Sequence, residues 1–337
     1  MGTVIPLKKE INNSYLELKN LVGNKLEDVS NLIKIKLASE INLIQKMTDH
    51  HLTSGGKRIR PLLTLATSKL CGYKDGSRDI NLAACVELIH SATLLHDDVI
   101  DNSELRRGVK TSNSVWGNQS SILVGDYLFS RCFELMVSDG SIEILKLLSS
   151  TSSKIAQGEV LQLEHKGEID VLEETYFNII NMKTAALFSA AARVGACITN
   201  KSKKEKDALE SYGKNIGLAF QIADDALDYY STQKIFGKEI GKDFFEGKAT
   251  LPLIIIFQKS NAEERIFLKE TFEKEKRNED DFSEVLALIN KYKAVQESFK
   301  KAEYFVNIAQ GALGIFEDSQ EKKILQKMTQ FSLNRSF

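Results

Sequence analysis

Proline is scarce in this chain, with three in 337 residues, at Pro6, Pro61 and Pro252. Long helices can therefore run without the lost hydrogen bond and ring clash that proline imposes. Cysteine is scarce too. Cys71, Cys85, Cys132 and Cys197 stand singly with no C-x-x-C pair, so spacing offers neither a disulfide framework nor a zinc site, and a reducing compartment fits. An excess of one charge is missing: 45 Lys and Arg stand against 46 Asp and Glu, a net charge of -1. That argues against holding nucleic acid through bulk positive charge, while leaving room for local basic pockets that take small anions. No apolar run approaches the roughly 18 residues of a membrane span; the longest, 251–257, is far shorter. The N-terminal MGTVIPLKKEINN has no apolar core of the kind a secretory signal carries. The expected location is the cytoplasm.

What the sequence does have is helical period. Apolar residues recur at three- and four-residue spacing, as in Leu32, Ile35, Leu37, Ile41 and Ile44, and again in Ile144, Leu147, Leu148, Ile155 and Val160. Strand-like alternation is rare, so the expected class is all-α. Breakers fall at Ser54-Gly55-Gly56, in a polar loop from Arg106-Arg107-Gly108 to Gly117, at Asp139-Gly140-Ser141, and in a segment rich in glycine and lysine, 237–248. That last segment ends at Thr250-Leu251-Pro252, which reads as a cap and helix start. The charged stretch 263–281 reads as a solvated face or a helix connection. Composition shifts nowhere as at a linker, and residues 1–337 are read as one domain.

Two acidic clusters carry the chemistry. Asp97-Asp98-Val99-Ile100-Asp101 follows the apolar run 86–95, and Asp224-Asp225-Ala226-Leu227-Asp228 follows Ala219-Phe220-Gln221-Ile222. On a helix, positions i and i+4 share a face, so the first and last carboxylate of each cluster point the same way. Three adjacent carboxylates repel one another unless a hard cation neutralises them, and an all-oxygen donor set suits Mg²⁺. Mg²⁺ commonly completes its shell with substrate phosphate oxygens, so the substrate implied is a diphosphate. A single DDxxD is as readily an exposed acidic face; two on apolar helices point to one shared metal site.

The chain resembles the polyprenyl synthetase family of trans-isoprenyl diphosphate synthases. The resemblance rests on Gly55-Gly56-Lys57-Arg58-Ile59-Arg60-Pro61, Leu94-Leu95-His96-Asp97-Asp98 with Asp101 and Arg106-Arg107-Gly108, Gly125-Asp126-Tyr127, Lys183-Thr184, Gln221-Ile222-Ala223-Asp224-Asp225 with Asp228, and Gly237-Lys238 through Gly247-Lys248-Ala249-Thr250-Leu251-Pro252. It implies a helical bundle around a central cavity. In that cavity an allylic diphosphate ionises, isopentenyl diphosphate attacks, and a proton is lost, the released diphosphate being the plausible acceptor. Asp97, Asp101 and Asp224 are the expected direct Mg²⁺ ligands, with Asp98, Asp225 and Asp228 as ligands or water-orienting groups. About three Mg²⁺ ions per site are expected when substrate is bound. Lys57, Arg60, His90 and Arg107 are expected to cradle isopentenyl diphosphate, with Arg58 as a helper. Arg106, Lys183, Lys238 and Lys248 are expected to hold the allylic diphosphate, and Lys183, Thr184 and Gln221 to flank the allyl cation as the catalytic residues. His90 stands where some short-chain relatives carry glutamine, and an imidazole N–H can donate to a diphosphate as well. His96 reads as a structural histidine, His50 and His51 as surface residues.

The same resemblance makes the helix before Asp97 a wall of the product tunnel. Ala92 and Thr93, five and four residues before Asp97, are small where short-chain relatives often place an aromatic ring. Phe129 is the expected tunnel floor, although ordinary core packing accounts for each of these residues too. The expected product is a long all-trans polyprenyl diphosphate, octaprenyl, for a quinone side chain. The alternatives are a farnesyl or geranylgeranyl diphosphate synthase, a terpene cyclase or a non-catalytic subunit. Cyclases generally lack the 55–61 anchor, and non-catalytic subunits usually lose the aspartates. The resemblance further implies a homodimer. A lipid product could bring the enzyme transiently to a membrane, and no nucleic-acid partner is expected.

Overall fold

A computed structural model of the chain describes residues 7–53, 55–230 and 240–331. The order begins with α1 (Leu7–Val22), α2 (Lys25–Leu37), α3 (Asn42–Thr53), α4 (Ile59–Leu70) and α5 (Arg78–Ile100), then a hairpin of β1 (Leu105–Arg106) and β2 (Val109–Lys110). There follow α6 (Ser112–Trp116), α7 (Asn118–Asp139), α8 (Ile142–Glu164), α9 (Glu173–Ile180), a π-helical turn (Asn181–Ala185) and α10 (Ala186–Ile198). The order ends with α11 (Lys203–Leu227), α12 (Lys242–Glu246), α13 (Leu251–Lys259), α14 (Ala262–Glu273), α15 (Glu279–Lys291), α16 (Ala294–Ala312), a 3-10 turn (Leu313–Ile315) and α17 (Gln320–Phe331). The class is all-α. Among the described residues, none of these helices is long and apolar enough to cross a membrane.

The helix starts follow from local chemistry. Ser202 caps α11 in a reciprocal box with Glu205, and the Ser141 side chain accepts from Ile144 N to open α8. Thr250 precedes α13, where Pro252 lies in the first turn and gives up no needed hydrogen bond. Gly140, at φ 74, ends α7 in the left-handed conformation that glycine adopts without strain.

Two apolar clusters form the core, and α11 belongs to both. Leu209, Tyr212 and Ile216 pack into the cluster built on α4, α5, α7 and α10. Leu218, Ala219, Ile222 and Ala226 pack into the one built on α13 and α16. The acidic residues stand at the C-terminal ends of α5 and α11, each after a stretch that is largely buried.

Two sequence expectations change. The apolar spacing from Leu32 to Ile44 spans two helices, not one stripe. Ile35, on the outer face of α2, and Ile41, in the connection to α3, are 71% and 61% exposed, while Leu26, Val29, Ile33 and Leu37 face the core. The polar loop after Arg106 contains the β-hairpin, whose central residues Arg107 and Gly108 take φ 54 and 78. A two-residue hairpin turn demands such positive φ values.

Candidate active site

The aspartates do not share one environment. Asp98 is buried, and Oδ1 accepts from Arg106 Nε at 2.9 Å and Nη2 at 2.7 Å. Asp225 is buried as well, accepting from Tyr176 Oη at 2.6 Å and Gln221 Nε2 at 2.8 Å. These two are held by protein donors. Asp97 and Asp101 stand half-buried at the end of α5, and Asp224 and Asp228 half-buried at the end of α11.

The segment around α12 ties the two clusters together. Asp228 accepts from the backbone N–H of Asp243 at 3.0 Å, and Lys248 Nζ donates to Asp101 Oδ1 at 2.9 Å. Lys248 also pairs with Glu246 at 2.7 Å, and Lys242 Nζ donates to Ser103 Oγ at 3.0 Å. Asp243 itself is half-buried near Asp228 and Asp225. Burial and those two charges push its carboxyl well above the usual range, while Lys248 pulls it back.

Lys183 and Thr184 sit on the π turn, a widened turn that re-aims side chains and often marks a functional position. Close approach fixes its place. A Cβ at Gly158 would stand 2.8 Å from Lys183 N, and one at Gly217 would stand 2.6 Å from Ala185 Cα. Lys183 Nζ therefore reaches Glu159 Oε2 at 2.7 Å and Gln162 Oε1 at 2.9 Å on α8. Thr184 Oγ1 donates to Gln221 Oε1 at 2.8 Å, and Gln221 in turn donates to Asp225. Gln162, Tyr176, Lys183, Thr184, Gln221, Asp225, Asp243 and Lys248 line one cavity of about 100 Å³. Lys238 lies outside the described residues.

Burial raises the Asp97 carboxyl to about 7, with Glu159 and Asp101 adding to the rise and Lys183 and Arg106 opposing it. Burial likewise lifts Asp225 to about 7, against its hydrogen bonds to Tyr176 and Gln221. Asp101 goes the other way: burial would raise it, but Lys248, Lys183 and Lys242 hold it below the usual carboxylate range. Glu159, Gln162, Tyr176, Asp243 and Glu246 were not among the residues the sequence singled out. Only Asp243 and Glu246 lay inside a motif that could have drawn attention to them.

Do these groups fit a divalent cation? Among the described residues no three carboxylate, histidine or cysteine side chains converge closely enough to hold an ion alone. Mg²⁺ does not require that, since one or two carboxylates plus substrate oxygens and water suffice. The donors are oxygens, and the Lys248 ammonium sits between Asp101 and Glu246 as a cation in that field. The residues fit.

The basic residues gather on the far side of α5. Arg107 Nη1 donates to the Gly55 carbonyl, drawing the hairpin onto the 55–58 loop. The Arg60 guanidinium lies 4.4 Å from the centre of the Phe188 ring, a favourable cation–π geometry. Arg58 turns to Ser30 on α2, with Nη1 to Oγ at 2.6 Å. Burial drives His90 well below its ordinary value, and Arg60, His51, Arg106 and Arg107 drive it further. The same causes lower His51 to about 4, with burial first and then Arg106 and Arg107. His50 and His51, expected at the surface, are half-buried. The hairpin packs against the end of α3, and His50 Nε2 donates to the Lys110 carbonyl at 2.7 Å.

On α5 before Asp97, Ala92, Ile89 and Val86 are fully buried. Thr93 donates its hydroxyl to the His90 carbonyl at 2.8 Å. The Phe129 ring, on α7, lies 6.0 Å from that of His96. His96 Nε2 reaches the Ile122 carbonyl at 3.2 Å and the Asp126 carboxylate at 3.5 Å.

An all-helical bundle with aspartates at two facing helix ends and cations on either side defines the isoprenoid synthase class. The family description "polyprenyl synthetase" matches residues 41–289, and the chain belongs to that family. The octaprenyl diphosphate synthase of Haemophilus influenzae is 36% identical over 295 residues, covering 88% of this chain and 89% of that one. A short chain isoprenyl diphosphate synthase of Methanothermobacter thermautotrophicus is also 36% identical, over 294 residues, covering 86% of this chain and 90% of that one. The crystal structure of a Caulobacter crescentus polyprenyl synthase complexed with calcium and isoprenyl diphosphate superposes with a TM-score of 0.91. It is 40% identical, with 95% of this chain and 98% of that one covered.

Proposed function

We propose that the protein is a Mg²⁺-dependent prenyltransferase that condenses isopentenyl diphosphate with an allylic diphosphate. The product is a long all-trans chain of the octaprenyl class, destined for a quinone side chain. The observation that carries this reading is the grip of one segment on both clusters, Lys248 on Asp101 and the Asp243 N–H on Asp228. The Caulobacter structure, complexed with calcium and isoprenyl diphosphate, supports a divalent ion.

Bound Mg²⁺ would neutralise the departing diphosphate, which is the main barrier to forming an allyl cation. Asp97, Asp101 and Asp224 hold the ions, with about three per site when substrate is present. Asp98 and Asp225, already hydrogen-bonded within the protein, orient their neighbours, and Asp228 fixes the α12 segment. Lys183, Lys238, Lys248 and Arg106 take the allylic diphosphate. Lys57, Arg60, His90 and Arg107 take isopentenyl diphosphate, with the forked guanidinium groups suited to paired phosphate oxygens. Because the Thr184 hydrogen is committed to Gln221, the lone pairs of its oxygen remain to face positive charge.

Overall identity does not set product length, since the Haemophilus and Methanothermobacter relatives are equally similar. The reading therefore rests on Ala92, Thr93 and Phe129 along α5 and α7. Exposed Leu123, Phe133 and Val137 on α7 support a homodimer. Four free, buried cysteines support the cytoplasm.

The test is turnover of radiolabelled isopentenyl diphosphate with farnesyl diphosphate and Mg²⁺ by the purified protein, with the dephosphorylated alcohols sized by thin-layer chromatography. Octaprenol is the expected product. A hydrocarbon formed from the allylic substrate alone would make the chain a cyclase, and no turnover would make it a non-catalytic subunit. Ala92→Phe is expected to shorten the product; an unchanged length would remove the tunnel assignment.

A further inference from the structure

Four side chains lining the cavity form one hydrogen-bonded chain, drawn from three elements. Tyr176, on α9, donates its hydroxyl to Asp225 Oδ2 at 2.6 Å. Gln221 Nε2 donates to Asp225 Oδ1 at 2.8 Å, and Thr184 Oγ1 donates to Gln221 Oε1 at 2.8 Å. Tyr176, Asp225 and Thr184 are only 3%, 5% and 6% exposed, so bulk water has little room to replace a missing partner. The direction of the chain follows from what each group can offer. A carboxylate only accepts, so both Asp225 oxygens call for donors. Gln221 therefore turns its NH₂ toward Asp225 and its amide oxygen toward Thr184, and the Thr184 hydrogen points at that oxygen. Tyr176 supplies one of the two donors on which this polarity depends. Its hydroxyl is aimed from a fixed base: the ring packs in the apolar cluster of α13 and α16 and stands edge-on to Phe177, 5.4 Å between centres.

We propose that Tyr176 is a positioning residue for the allylic step. Through Asp225 and Gln221 it keeps the Thr184 hydrogen turned away from the allyl cation and the Thr184 lone pairs turned toward it. This rests on the reading of Thr184 and Gln221 as residues that flank the cation.

Without the tyrosine hydroxyl, Asp225 Oδ2 would be left buried with no donor, a costly state that rearrangement relieves. The carboxyl can turn about its last side-chain bond, a torsion with broad preferences, and draw the Gln221 NH₂ with it. Thr184 then loses its acceptor, and its O–H is free to swing into the cavity. There the positive end of the O–H dipole would meet the developing cation. The loss falls on the transition state, where that charge exists, and not on the diphosphate, which other groups hold. A second buried tyrosine gives the contrast of a hydroxyl with no such task. Tyr212 Oη donates to the Leu325 carbonyl at 2.7 Å. It lies on α11 about 18 Å of helix rise before Asp224.

The experiment compares full-length wild type, Tyr176→Phe and Tyr212→Phe in the presence of Mg²⁺. The rate of one condensation is measured with enzyme in excess over farnesyl diphosphate, which separates chemistry from product release. Calorimetry gives Kd for farnesyl thiolodiphosphate, which does not ionise, and for an analogue with a protonated amine at the carbon that becomes the cation. Tyr176→Phe is expected to slow condensation and weaken the amine analogue about tenfold each, the worth of a charge-assisted hydrogen bond. Thiolodiphosphate binding should not move. Tyr212→Phe is expected to lower Tm at least as far, with the rate and both Kd values of wild type. Thr184→Val removes the end of the chain at nearly constant shape, and adding Tyr176→Phe to it should slow condensation no further, since the two act as a unit. A Tyr176→Phe protein with wild-type rate and amine affinity would overturn the proposal, whatever its Tm. Losses that add in the double variant would overturn it too. If Thr184→Val slows condensation and Tyr176→Phe does not, Tyr176 alone falls. If Thr184→Val keeps the wild-type rate, the reading of Thr184 as a cation-flanking residue falls, and the proposal with it.

Discussion

The two ends of the site crowd charges of opposite sign, and they manage the crowding differently. At the acidic end, burial lifts Asp97, Asp225 and Asp243 toward their neutral forms. Lysines delivered from the π turn and from the α12–α13 connection, Lys183 and Lys248, already pair with acidic groups there. At the basic end, burial pushes His51 and His90 toward neutrality, while Arg106 pairs with Asp98, Arg58 with Ser30 and Arg107 with the Gly55 carbonyl. The acidic end thus meets its crowding with paired lysines as well as neutral carboxyls, whereas the basic end meets it with neutral histidines and with guanidinium groups held by Asp98, Ser30 and the Gly55 carbonyl.

The largest effects that would break this comparison lie at the acidic end. Asp97→Asn and Asp224→Asn are expected to lower kcat by about 10³-fold, the scale for removing charge stabilisation of a transition state. Asp98→Asn should lose less activity and more stability. It strips Arg106 of its carboxylate partner, which for a partly exposed pair costs about 1–3 kcal/mol and lowers Tm by a few degrees. Kinetics and thermal melts on the three variants decide it: an Asp98→Asn enzyme as inactive as Asp97→Asn but equally stable would show that the salt bridge does not divide their roles. Next in size is a crossed pair. Lys248→Ala is expected to raise KM for the allylic substrate about tenfold, and Lys57→Ala to do the same for isopentenyl diphosphate. Lys238→Ala should follow Lys248→Ala. Equal losses for both substrates in either variant would mean that the two ends are not separate sites.

Much of the architecture could be read along the chain, because α5 and α11 are long, uninterrupted by proline and apolar on the faces that precede each aspartate cluster. Spacing alone could not separate Asp97 from Asp98. Adjacent residues on a helix point about 100° apart, and it is Arg106, arriving through the hairpin, that claims one of them. Tyr176 and Glu159 left no trace in any motif, since they reach the site only through the close approach of α8 and α9 to the π turn. His51 was expected at the surface for the same kind of reason. Nothing local to His50-His51 announces that residues 105–110 fold back over them. Arg107-Gly108 was read as part of a polar loop running to Gly117, yet it forms a hairpin turn from which Arg107 reaches Gly55.

The smallest effect is the one most specific to the basic end. His51 in the folded chain binds its proton less readily than in the unfolded chain, about 4 against the ordinary 6.5. A lowered histidine contributes stability above about pH 6.5, and that contribution is lost as pH falls toward 4, because the unfolded state then binds more protons. Asp97 and Asp225, lifted to about 7, work in the opposite direction: their contribution is present at low pH and is lost as pH rises through about 7. The melting curve of the wild type is the sum of these trends and does not isolate either. The difference between wild type and His51→Gln does, since the variant changes only the histidine part. In the metal-free protein that difference is expected to favour wild type less at about pH 5.5 than at about pH 7.5, by on the order of 2 °C. Parallel melting curves for the two proteins across this range would mean that the His51 ring keeps one protonation state throughout. The two ends of the site would then differ only in the sign of their charge.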